Sequence, residues 1–153
     1  MLKHSGLGGG YEGETVFVIA VPLVLVVLRT NGALAAGAIA EGIAPGGPQK
    51  GYAIGIVTNL PDEDAAKASA IDACKKLGNA AAQKQCHVVS TFTDRCGTVV
   101  QDPEDGTPGV GWAVAATLAA ADEQAITRCK STAGPDRQNF CTDIVHKCDG
   151  SAK

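Results

Sequence analysis

Two pairs of cysteines share one spacing. Cys74 and Cys86 stand 12 positions apart, and so do Cys129 and Cys141. Each half then closes on a further cysteine, Cys96 and Cys148, and each half opens with a glycine–aromatic–alanine step, Gly51-Tyr52-Ala53 and Gly111-Trp112-Ala113. The pattern reads as an internal repeat carrying a disulfide framework. It constrains compartment and architecture together, because disulfides persist outside the cytosol. Six cysteines leave fifteen connectivities open. The repeated spacing favours Cys74–Cys86 and Cys129–Cys141 inside the halves, with Cys96–Cys148 joining them. The chain has no Cys-x-x-Cys and no closely spaced histidine pair, so zinc is not indicated.

The amino-terminal stretch has a different character. Val16 to Leu28 is apolar apart from Pro22, which is short for a membrane span but right for the apolar stretch of a secretory signal. Ala33-Leu34-Ala35 and Ala38-Ile39-Ala40 both fit the small-x-small cleavage pattern. Cleavage after Ala40 is favoured, with Ala35 as the second choice. Glu12 and Glu14 beside Lys3, and Arg29 after the apolar run, depart from a standard signal, and retention as an anchor is the alternative. Residues 1–40 are thus expected to be a signal peptide. Residues 41–50, with Pro45, Gly46, Gly47 and Pro48, are expected to be a linker, and 51–150 one domain of two repeats, 51–101 and 111–149.

Lys3 and Arg29 are matched by Glu12 and Glu14, so the net charge stays at −3 without residues 1–40. That balance excludes the basic footprint of a nucleic-acid binder. Aromatic residues are only 4% of the chain, so the core must be built from Ala, Val, Ile and Leu. Such a core stabilises weakly per residue, and cross-links compensate.

Tyr52, Ile54 and Ile56 would share one face of a strand, and Trp112, Val114 and Ala116 the matching face of another. The small residues between them (Ala53, Gly55, Ala113, Ala115) would let a second layer approach closely. Helices follow. Pro61 and the acids Asp62, Glu63 and Asp64 suit a helix start, Lys75 and Lys76 its end, and Gly78 a terminator. Ala66, Ala70, Ile71, Cys74 and Leu77 form the apolar stripe of the first helix. Thr117 would cap the second, with Ala121, Ala125, Ile126 and Cys129 in equivalent places. Strands are expected at His87–Phe92, Cys96–Val100 and Thr142–His146. The expected order is β-α-β-β-β-α-β. The fold class is α+β: a duplicated β-α-β-β-type repeat, mainly antiparallel strands with two helices packed on them, disulfide-stapled.

Residues Gly51, Tyr52, Ala53, Ala70, Ile71, Cys74, Cys86, Val88, Val89 and Cys96, with Gly111, Trp112, Ala113, Ala125, Ile126, Cys129, Cys141 and Cys148, carry a resemblance. The chain resembles the bacterial secreted family catalogued as domain of unknown function 4189 over about residues 51–149. The resemblance implies secretion and a disulfide-linked duplicated α+β fold, and it implies no catalytic residues.

Candidate sites are few. His87 and His146 lie near Cys86 and Cys148, but a cross-linked sulfur is no nucleophile; the two rings could instead meet as a metal or pH-sensing pair. Asp102, Glu104 and Asp105 could hold calcium, with a solvated acidic turn as the plainer reading. Gly6 and Gly8 to Gly10 lack the context of a phosphate loop. Tyr52 and Trp112 are core anchors or, alternatively, a shared exposed platform for binding. No catalytic set, cofactor site or metal site is assigned. The expected function is a secreted or periplasmic interaction module, non-enzymatic, presenting loops 78–85, 101–110 and 131–140 to a protein partner. No nucleic acid is expected as partner, nor a membrane once the signal is removed. A small envelope-acting hydrolase and a structural envelope protein are the alternatives.

Overall fold

The computed structural model describes residues 36–153. The apolar run Val16–Leu28, the charges around it and the glycines at 6 and 8–10 lie outside the described residues. Strand β1 (Ala36–Ile43) is followed by a helical turn at Pro48–Lys50, then β2 (Tyr52–Leu60), α1 (Glu63–Cys74), the short α2 (Ala80–Gln83) and β3 (His87–Phe92). The second half repeats the order with β4 (Cys96–Gln101), β5 (Val110–Ala115), α3 (Leu118–Ala133), a helical turn at Gln138–Phe140 and β6 (Thr142–Cys148). Each half makes one antiparallel three-stranded sheet, ordered β2-β1-β3 and β5-β4-β6.

The first strand of each half is the central one, which corrects the expected boundaries. Ala36, Ala38, Ile39 and Ala40 are buried in the middle of the first sheet. Residues 36–40 therefore belong to the folded unit, and a cut after Ala40 would remove most of its central strand. Residues 41–43 complete that strand, so the expected linker 41–50 shrinks to a hairpin turn. The strand at Cys96 opens the second half and does not close the first. The halves run 36–92 and 96–148, each β-β-α-β, in place of 51–101 and 111–149.

The halves match position by position. Ala40 pairs with Gly55 on one side and Val88 on the other; Val100 pairs with Gly111 and Asp143. In both sheets the register toward the third strand slips beside that residue, between Ile39 and Ala40 and between Val99 and Val100. Gly55 therefore answers to Gly111, and Ile56, not Tyr52, answers to Trp112. The shared Gly-aromatic-Ala triplet is four positions out of register with the structure.

Side-chain size sorts the layers. On one face of the first sheet Ala36, Ala38, Ala40 and Ala53 meet Ala66, Ala70 and Cys74 of α1. On one face of the second, Val100 and Ala113 meet Ala125 and Cys129 of α3. The larger side chains point the other way: Ile39, Tyr52, Ile54, Ile56 and Phe92 pack with Val99, Val110, Trp112, Val114 and Val145 between the two sheets. The result is four layers, helix–sheet–sheet–helix. Alternation of small and large along each strand produces it, because successive side chains point to opposite faces. A Cβ on Gly55 would lie 2.4 Å from the Ala70 carbonyl oxygen, and one on Gly111 would lie 2.3 Å from that of Ala125. The helices sit so close that only glycine fits.

Asp62 accepts from the Ala65 N–H at 2.7 Å and Thr117 accepts from the Ala120 N–H at 3.3 Å, capping α1 and α3. Helix α1 ends at Cys74, before Lys75, Lys76 and Gly78. Leu77 consequently leaves the apolar stripe and stands 55% exposed.

Three disulfides join Cys74 to Cys86, Cys129 to Cys141 and Cys96 to Cys148. The first two tie the end of a helix to the approach of the third strand in each half. The third does not join the halves as expected. Cys96 and Cys148 are directly opposed on β4 and β6, neighbours in one sheet.

A buried carboxylate joins the halves instead. Asp149, fully buried just past β6, accepts hydrogen bonds from the Asn59 N–H at 2.7 Å and the Asp94 N–H at 3.3 Å. In return the Gly150 N–H donates to Asn59 Oδ1 at 3.0 Å and the Ser151 N–H to Asp94 Oδ1 at 3.1 Å. Asn59 and Asp94 have φ of 59° and 49°, a region where asparagine and aspartate are the most tolerant of the residues other than glycine. These bonds hold them there.

Candidate functional site

Topology gathers four connecting segments at one end of the molecule. They are the β1–β2 turn (residues 44–51), the β4–β5 turn (102–109), and the segments that return from α1 to β3 (75–86) and from α3 to β6 (134–141). A cleft of about 570 Å³ opens among the first three of them, with Lys50 and Tyr52, Leu77 and Asn79, and Glu104 and Asp105 in its lining. The three exposed large apolar side chains among the described residues, Ile43, Leu77 and Phe140, all belong to this hairpin end. Two of the three disulfides, Cys74–Cys86 and Cys129–Cys141, close its two return segments.

Tyr52 is buried with its ring between the sheets, and its hydroxyl donates to Glu41 Oε2 at 3.3 Å. Burial, and then the neighbouring Glu41 charge, push the phenol well above its ordinary value. It is a neutral donor under all physiological conditions. Trp112 also packs between the sheets, half-buried, and Arg128 lies over its ring at 5.1 Å while donating to its backbone carbonyl at 2.6 Å. The two aromatics are core anchors on different strands and form no common platform.

The acidic turn is neither solvated throughout nor arranged for calcium. Asp102 is fully buried, and Arg137 takes both its oxygens, Nε to Oδ2 at 2.7 Å and Nη2 to Oδ1 at 2.6 Å. Arg137 Nη1 also reaches Glu104 at 2.6 Å, and its guanidinium stacks 4.2 Å from the Phe140 ring centre. One arginine thus fixes the β4–β5 turn to the α3–β6 segment. Nothing local in the sequence announces the pair, because its members lie 35 residues apart.

The hydrogen bonds from Arg137 hold the Asp102 carboxyl below its ordinary 3.8, against the opposing effect of burial. A depressed folded value makes the pair's contribution complete above the ordinary carboxylate range and progressively lost as pH falls through the folded value. Arg137→Gln leaves a buried carboxylate without its cation, which destabilises it at neutral pH. The gap in denaturation midpoint between wild type and Arg137→Gln is therefore expected to be widest near neutrality and to close below about pH 4. A gap independent of pH would refute this assignment.

The histidines do not meet. His87 begins β3 at the hairpin end, its Nδ1 2.9 Å from the Gln85 carbonyl, whereas His146 lies two residues from the far end of β6. Both are exposed. Among the described residues no three His, Cys, Asp or Glu side chains converge to hold a metal ion. No helix among them is long and apolar enough to cross a membrane.

A family profile described as Domain of unknown function (DUF4189) matches residues 36–148, most of the chain. The chain belongs to the DUF4189 family. The match starts at the first residue of β1 and ends at the last of β6. No curated protein and no solved structure matches the chain. Three disulfides in a DUF4189 unit of this size fit an oxidising environment.

Proposed function

We propose that this DUF4189 protein is an exported, non-enzymatic interaction module that engages a protein partner through the hairpin end. The observation that carries the reading is the convergence there of the cleft and of Ile43, Leu77 and Phe140. Exposed apolar side chains concentrated at one site mark interaction surfaces more than scattered ones do. The segments that bear Leu77 and Phe140 are closed by disulfides, so little freedom is lost when they dock. Export rests on the apolar run Val16–Leu28 and the oxidised cysteines. Cleavage after Ala35 leaves Ala36, the first residue of β1, as the new amino terminus.

One preparation tests both parts. A photo-cross-linking residue is placed at position 77 or 140, and as controls at the exposed positions 63 and 119, in chain exported by its native host. The intact mass should correspond to a chain starting at Ala36 with three disulfides. Protein adducts should form at 77 and 140 and be absent at 63 and 119. Equal labelling at all four positions, or none at 77 and 140, defeats the binding-face reading.

A further inference from the structure

The hairpin end is electrically divided along the boundary between the halves. The first half contributes Lys50, Lys75, Lys76 and Lys84 to it, all exposed, with no acidic residue in segments 44–51 and 75–86. Among the described residues none of the four is in a salt bridge; those present use Lys67 and Arg137. The second half contributes Asp102, Glu104, Asp105 and Asp136 against Arg137 alone in segments 102–109 and 134–141. Asp72 and Lys130, in the last turns of α1 and α3, each offset one unit on their own side, and the half-buried Glu41, bonded to Tyr52, offsets one more in the first half. The segments thus carry +4 in the first half and −3 in the second, in a chain whose net charge is −3. Lys75 and Lys76 have a local reason to follow a helix; Lys50 and Lys84, on a hairpin turn and after α2, serve no long helix.

We propose that the partner seated on this face is a second copy of the same chain, docked about a twofold axis. The inference rests on the reading of the hairpin end as a binding face and names its occupant. An acidic partner would satisfy the lysines and be repelled by Asp105 and Asp136; a basic partner would meet the reverse. A twofold rotation lays the basic half of one copy on the acidic half of the other, and does so twice. It also brings Leu77 and Ile43 of the first half toward the side of the partner that carries Phe140. Head-to-tail docking would match one patch, leave the other open and propagate.

Sedimentation equilibrium of the exported, oxidised chain tests the assignment. A dimer is expected at low ionic strength, its Kd rising at least about tenfold between about 0.05 M and 0.5 M salt, where screening shortens from beyond 10 Å to about 4 Å. The variants K75E/K76E/K84E and D105K/D136K change only exposed side chains and should each sediment as monomers with wild-type circular dichroism. Mixed in equal amounts they should recover a dimer, because each then meets the charge it lacks. A wild-type monomer at about 0.1 mM, a dimer indifferent to either reversal, growth beyond two copies, or no recovery on mixing overturns the proposal. A cross-link at position 77 whose mass identifies a different protein removes the second copy as partner and leaves the binding face standing; the absence of any cross-link removes both.

Discussion

Replacing Cys96 and Cys148 together by alanine is expected to lower the unfolding free energy by about 4 kcal/mol, the largest loss from any of the three cross-links. The reason is the length of chain each bond closes. Cys96 and Cys148 are 52 positions apart, against 12 for each of the other two pairs, and the entropy removed from the unfolded chain grows with the logarithm of that length. The shorter loops should each contribute about 3 kcal/mol by the same relation. The bond also links adjacent strands in register, so its removal frees β6, an edge strand held otherwise by β4. Denaturant titration of the three double variants should rank Cys96/Cys148 as the most damaging. A midpoint equal to that of the Cys74/Cys86 variant would show that loop length does not govern the effect.

Gly55→Val and Gly111→Val should each destabilise by about 3 kcal/mol or more, at the upper end of overpacking changes. The clash at both positions is with backbone. The added carbon at Gly55 would sit 2.5 Å from the Cys74 nitrogen as well as against the Ala70 carbonyl, and at Gly111 2.5 Å from the Cys129 nitrogen. A side chain can rotate away; a helix pinned at that point by a disulfide cannot. The control is Gly51→Ala, where the atoms in the way belong to the Asn79 side chain but φ is 150°, so a smaller strain is expected. Equal tolerance of valine at 55 and 111 and of alanine at 51 would mean that the helices are not seated as described.

The same two glycines explain why the repeat was only half legible. The cysteine spacing and the Ala-Ile-x-x-Cys helices report equivalent positions correctly, since Ala70 and Ala125 contact equivalent glycines. The Gly-aromatic-Ala triplet does not. Gly51 has φ of 150° in a turn, whereas Gly111 sits mid-sheet under a helix. Two different physical demands select the same residue, and a short match cannot tell them apart. Strand β1 was hidden for a related reason. Ala36, Ala38 and Ala40 are small because α1 lies on them, and small residues at alternate positions are also what a cleavage site looks like. Helix caps at Asp62 and Thr117 were readable because capping is local. The Arg137–Asp102 pair, the convergence of Ile43, Leu77 and Phe140, and the role of Asp149 depend on contacts across long stretches of chain, and nothing near those residues encodes them.

The placement of Asp149 bears on the order in which the molecule assembles. All strands of the first sheet come from residues 36–92, so a chain emerging amino terminus first has every partner it needs for that sheet before Cys96 appears. The second sheet is completed only by β6. The carboxylate that fastens Asn59 and Asp94 comes one residue later still. The first half is thus built as a waiting template, and the residues just past β6 act as a latch that closes the pair of sheets once both halves have been made.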